Sequence, residues 1–146
     1  MSSEALRRPA PAGPVDHNAR YASALLNSSR RAYAASAAER LLALAPDSAD
    51  RPAVTSFGSL QDEIAVRVDH LSEALAVGCP ELFQDHLAWL KVAFKARDVP
   101  VDLVRQEVVG LRDALASEMP DGASAVSVRY LDEAQTRIAE MPAELP

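Results

Sequence analysis

The tripeptide Gly78-Cys79-Pro80 constrains this chain more than any other stretch. Glycine adopts the left-handed conformation that commonly ends a helix, and proline suits the first turn of the next one, where its missing N–H is not needed. Upstream, Leu60, Ile64, Val68, Leu71 and Leu75 recur at helical spacing and fall on one face. Ser59 followed by Asp62 has the spacing of a capping box, with Asp in the usual Glu or Gln place. Downstream, Phe83, Leu87, Leu90 and Phe94 form one stripe, and Leu82, His86 and Trp89 form a second beside it. So wide an apolar arc predicts a helix buried on more than one side, either a central core helix or the wall of a ligand pocket. His70 and His86 stand at similar sequence distances from the turn, so both lie roughly 12 Å from it along their helices. The ~100° step per residue puts His70 off the main stripe of its helix, so equal height alone does not make the two rings converge.

The 146 residues are enough for one domain with a core of its own. A formal charge of −6 argues against a nucleic-acid partner, because phosphate binding needs clustered Lys and Arg. No apolar run approaches the ~20 residues that span a bilayer, so no membrane partner is expected. The N-terminus lacks the apolar segment of a secretion signal, and a single cysteine cannot form an internal disulfide. A cytoplasmic location is the expectation.

Taken in order, residues 1–14 carry Pro, Ala, Ser and Arg without periodicity and read as a disordered tail. Asp16 is a candidate N-cap for a first helix to about Ser28, with Tyr21, Leu25 and Leu26 inward. A second, alanine-rich helix spans about Arg30 to Leu44, with Ala34, Ala37, Ala38, Leu41 and Leu42 apolar. Residues 46–58 read as a loop with one helical turn around Val54. After the hairpin, Asp98-Val99-Pro100 forms a break, since the residue before proline avoids helical geometry. A fifth helix from about Val101 to Glu118 presents Val104, Val108, Leu111, Leu115 and Met119. Pro120-Asp121-Gly122 reads as a turn. A sixth helix from about Ala123 to Glu140 presents Val126, Tyr130, Leu131, Ala134 and Ile138, and Pro142 stops it. No strand alternation and no solenoid-length repeat occurs. The domain thus covers 15–141, and 142–146 reads as a linker or tail.

The segment Glu81-Leu-Phe-Gln-Asp-His-Leu-Ala-Trp-Leu-Lys-Val, followed by Ala96-Arg-Asp-Val-Pro and then Leu111-Arg-Asp-Ala-Leu, resembles the helical, globin-like sensor domains at the N-terminus of bacterial signalling proteins. Two settings share this likeness. One is the stressosome co-antagonist proteins, whose globin-like domains bind no haem. The other is the cobalamin-binding photoreceptors, where in the photocobilin branch such a domain binds a bilin. The likeness covers roughly Asp16 to Met141. It implies an all-α, six-helix globin-like bundle, a sensory role in signal transduction, and no catalytic residue.

Several residues are candidates for a binding site. His86 is a possible haem-iron ligand or hydrogen-bond partner of a tetrapyrrole, with Trp89, Phe83 and Leu82 as the apolar wall. The plain alternative is a histidine at the edge of the core, bonded to a carbonyl or carboxylate. His70 is a weaker candidate of the same kind, and conventional globins space their two haem histidines much farther apart along the chain. Cys79, at a helix N-terminus, could attach a bilin covalently or simply fill a turn. Arg67, Lys91 and Arg97 could hold propionates, and Asp69 or Asp85 could accept pyrrole N–H bonds. Tyr130 joins the cofactor-binding set. Each histidine follows an aspartate, but neighbours on a helix do not face each other, so no metal site is expected.

No catalytic triad order, phosphate loop or zinc-protease motif is present, so no enzyme is expected. The leading expectation is a photoreceptor-type sensor domain that binds a linear tetrapyrrole of the biliverdin type and responds by helix rearrangement. The alternatives are a ligand-free globin-like module of stress signalling that works by protein association, as a homodimer through its last two helices or with a downstream signalling domain, and a haem-binding sensor. A ligand-free domain packs His86 and Trp89 solidly, whereas a binder leaves a cavity of about 300 Å³ or more beside them.

Overall fold

The computed structural model describes residues 15–44 and 59–141; the expected tail, the 46–58 loop with its turn around Val54, and the C-terminal linker lie outside the described residues. Six helices follow one another: α1 (His17–Ser28), α2 (Arg30–Leu44), α3 (Leu60–Val77), α4 (Pro80–Ala96), α5 (Asp102–Glu118) and α6 (Asp121–Glu140). Among the described residues there is no strand, and no helix is long and apolar enough to cross a membrane.

Local chemistry sets the helix ends. Ser59 Oγ accepts the Asp62 N–H at 3.1 Å and caps α3. Gly78 ends it at φ 67° and ψ 35°, and the Cys79 N–H returns to the Ala74 carbonyl at 2.9 Å. Pro80 then opens α4. At the far end of α4 the left-handed residue is Asp98, at φ 57°, and the Val99 N–H reaches the Phe94 carbonyl at 2.9 Å. The expected turn at 120–122 is shorter than its sequence suggests. Asp121 and Gly122 already belong to α6, where an acid in the first turn meets the positive end of the helix dipole.

Helix α3 packs on α1, α2 and α4. Helix α5 packs chiefly on α2 and on α6, which also covers α1 and α4. The core is built from the predicted stripes: Ile64, Leu71, Leu75, Phe83, Leu87, Leu90, Phe94, Leu111 and Leu115 are all fully buried. The seam between α2 and α5 is tight. A β-carbon on Gly110 would lie 2.9 Å from the Ala37 carbonyl oxygen, so glycine permits this approach of two backbones. Between α1 and α3 the buried Ser23 hydroxyl donates to the Ser72 carbonyl at 2.9 Å.

Two expectations are corrected. Tyr21 does not point inward but is exposed, and Ala19, Ala22, Ser23 and Leu26 form the buried face of α1. Nor is α4 buried on both stripes. Its Phe83 stripe fills the core, while Leu82 and Trp89 on the second stripe are 44% and 58% exposed.

Candidate functional site: a groove between α3 and α4

The second stripe of α4 faces a groove of about 510 Å³. Helix α3 contributes Val66, Arg67 and His70 to its lining. Helix α4 contributes Leu82, Asp85, His86, Trp89 and Leu90. Each set repeats at three- and four-residue intervals, so each is one face of a helix. The tight Gly78–Cys79 turn brings these faces together at equal height.

His70 and His86 meet there. Their rings are stacked with centroids 3.6 Å apart and planes 10° from parallel. The His86 Nε2 is buried and has no hydrogen-bond partner among the described residues. Burial, with smaller contributions from the positive charge of Arg67 and from His70, pushes the His86 pKa down to about 3. At neutral pH His86 is therefore a neutral imidazole.

Arg67, which also lines the groove, belongs to a buried ion pair. Arg67 Nε donates to Glu107 Oε1 of α5 at 3.0 Å, and the two side chains are 2% and 0% exposed. The guanidinium is a fork of N–H donors, and its Nη2 is buried with no hydrogen-bond partner among the described residues. A buried donor without an acceptor costs about 1–3 kcal/mol, and more when charged. The groove therefore combines an exposed apolar wall with two lining residues, Arg67 and His86, that each carry a buried polar atom without a hydrogen-bond partner among the described residues.

Of the residues expected to form a site, Arg67, His70, Leu82, Asp85, His86 and Trp89 are brought together. Phe83 is fully buried in the core behind the groove, its ring 6.3 Å from that of His86. Cys79 sits at the hairpin turn, where its thiol faces Glu81 Oε1 at 3.4 Å, and it does not line the groove. Tyr130 is buried on α6, where burial raises its pKa and the nearby titratable groups are Arg129, Cys79, Glu133 and Glu81 rather than groove residues. Lys91 is engaged elsewhere: its ammonium donates to the carbonyls of Ile138 and Met141, both at 2.6 Å, at the end of α6. Asp69 holds Arg30 through two bonds of 2.6 and 2.8 Å. Arg97 is exposed beyond the end of α4.

Sequence reasoning missed Val66 and Glu107. Val66 stands one turn before His70, so testing the His70 face on its own terms would have found it. Glu107 is an acid among Leu103, Val104, Val108 and Leu111, on the core face of α5. Arg67 is a cation similarly placed among Ile64, Val68 and Leu71. Opposite charges at core positions of two helices are the signal of a buried pair. Among the described residues no three His, Cys, Asp or Glu side chains are arranged to hold a metal ion. Compared with known families, curated proteins and solved structures, the chain has no match.

Proposed function

We propose that this chain is a sensory, globin-like module whose α3–α4 groove binds a linear tetrapyrrole of the biliverdin type without a covalent bond. The observation that carries this reading is the groove itself: about 510 Å³ bordered by Trp89 and Leu82, whose apolar surfaces stand in solvent. Its size falls in the range of small-molecule sites. A flat conjugated ligand would cover the exposed indole and leucine, at roughly 25 cal/mol for each Å² of apolar surface withdrawn from water. Noncovalent attachment follows from the place of Cys79, outside the groove lining. The stacked histidines favour a bilin over a haem held by both. Two axial imidazoles must direct a nitrogen at the iron from opposite sides of the macrocycle, whereas these rings lie face to face.

Signalling would proceed through α4. This helix forms one wall of the groove and, through Lys91, holds the last carbonyls of α6. A shift of α4 on ligand binding or illumination would reach the end of the domain by that contact.

The exposed Trp89 and Leu82 also favour a second reading, an association surface in a domain without ligand. Titration with biliverdin and, separately, haemin, read by absorbance, decides between them. The proposal expects a saturable, red-shifted biliverdin band that is lost in Trp89→Ala and survives Cys79→Ser. If neither pigment gives a saturable change, the association reading stands in its place. A preference for haemin, with a Soret band lost in His86→Phe, would make the domain a haem sensor.

A further inference from the structure

We infer that the groove contains a carboxylate subsite, in which Arg67 Nη2 and His86 Nε2 together receive an acid group of the ligand. This rests on the tetrapyrrole reading and specifies which functional group of the ligand the protein selects. The two atoms belong to neighbouring faces of α3 and α4, and both residues line the same groove. Both atoms are buried and neither has a hydrogen-bond partner among the described residues. The Arg67 side chain is 98% withdrawn from solvent, and its Nε is already committed to Glu107. That bond fixes the guanidinium plane, so the remaining arm is held in place rather than free to sweep through solvent. His86 is held by its stack on His70. A carboxylate has two oxygens with several lone pairs, enough to accept from a guanidinium N–H and an imidazole N–H together.

The charge at the site selects the class of anion. Of the described residues that line the groove, Arg67 is the one permanent cation, and it already shares its charge with Glu107. Asp85 adds a negative charge to the lining. A phosphate dianion would enter with more charge than one shared guanidinium can balance, whereas a carboxylate brings one negative charge. Charge-assisted hydrogen bonds of this kind are about twice as strong as neutral ones. The apolar part of the ligand would then lie along Trp89 and Leu82.

The test compares biliverdin, which carries two propionic acids, with its dimethyl ester, titrated into the intact chain at neutral pH. The subsite expects the diacid to bind at least roughly ten-fold more tightly, the worth of one hydrogen bond to a charged group. Removing Arg67 alone would leave Glu107 buried without its guanidinium, so the informative variant is the double change Arg67→Met, Glu107→Leu, with folding checked by circular dichroism. In that variant the two pigments should bind alike, and His86→Phe should narrow the gap in the same direction. Equal binding of diacid and diester by the natural chain overturns the subsite and leaves the tetrapyrrole reading intact. A preference for the diacid that survives the double change also overturns it. Failure of both pigments to bind removes the tetrapyrrole reading and the subsite with it.

Discussion

The α2–α5 seam and the α3–α4 groove are two helix interfaces of one bundle, built on opposite principles. In the seam, Ala34, Ala37, Ala38 and Leu41 meet Gly110, Leu111 and Ala114, all buried, at a separation that leaves no room for one more carbon. In the groove, the indole of Trp89 is 58% exposed, two imidazoles stack, and the Arg67 guanidinium has a buried arm without a hydrogen-bond partner among the described residues. The seam is closely packed backbone against backbone. The groove departs from close packing, leaving Trp89 and Leu82 in solvent beside two buried polar atoms, Arg67 Nη2 and His86 Nε2, that have no hydrogen-bond partner among the described residues. Such local violations are expected where a protein keeps a site for something else.

The sharpest way to break this contrast is at Arg67. Changing Arg67→Met alone should cost about 3–5 kcal/mol, because Glu107 stays buried and loses the guanidinium that Arg67 supplies. Adding Glu107→Leu should restore stability to within roughly 1 kcal/mol of the natural chain or exceed it. Urea unfolding of the single and double variants measures both. If the single change proves harmless, the pair is not buried as described.

A second effect depends on pH. The folded chain holds His86 near a pKa of about 3, against an ordinary value of 6.5. Between these values the unfolded chain takes up a proton that the folded chain refuses, so stability falls as pH falls through that window. By pH 4 this contribution should amount to roughly 3 kcal/mol. His86→Phe keeps a flat ring beside His70 and removes the titration. The difference in urea midpoint between natural chain and variant should therefore shift in favour of the variant from pH 7 to pH 4. A difference independent of pH would contradict the buried neutral imidazole.

In the seam, Gly110→Ala should cost about 1–3 kcal/mol through overpacking, despite the ~1 kcal/mol by which alanine otherwise favours a helix. The obstacle is the Ala37 carbonyl, backbone that cannot swing aside. A stabilised Gly110→Ala protein, by thermal melt, would mean the seam has slack. The smallest stability effect belongs to Trp89→Ala, within roughly 0.5 kcal/mol because the ring is largely in solvent. The same change should abolish pigment binding, and that dissociation of stability from binding would sharpen the contrast more than any other result.

The six helices were legible because each advertises its own boundaries. Ser59, Gly78, Pro80 and the break at Asp98–Pro100 are local signals, and the stripes from Leu60 to Leu75 and from Phe83 to Phe94 mark core faces without reference to any partner. Half of the site was legible for the same reason: Leu82, His86 and Trp89 share one face of one helix. The other half depends on which helices become neighbours. His70 looked misplaced when measured against the core stripe of α3, since its face serves the groove rather than the core. The Arg67–Glu107 pair joins residues forty positions apart, and no local periodicity relates α3 to α5. Tyr21 misled in the opposite direction, because an aromatic at helical spacing reads as core whether or not a neighbouring helix covers it.

The turn at Gly78–Cys79 has a consequence for how this protein tolerates change. Inserting or deleting a single residue in the first turn of α4, just after it, would rotate the rest of that helix by roughly 100° and slide it by ~1.5 Å against α3. His86 would leave His70, Trp89 would turn from the groove, and the core stripe of Phe83 and Leu87 would turn with it. Most substitutions along the groove alter one contact, but a change of length at the hairpin alters all of them together. The site is therefore written in counting as much as in composition: seven residues from Cys79 to His86 and eight from His70 to Gly78.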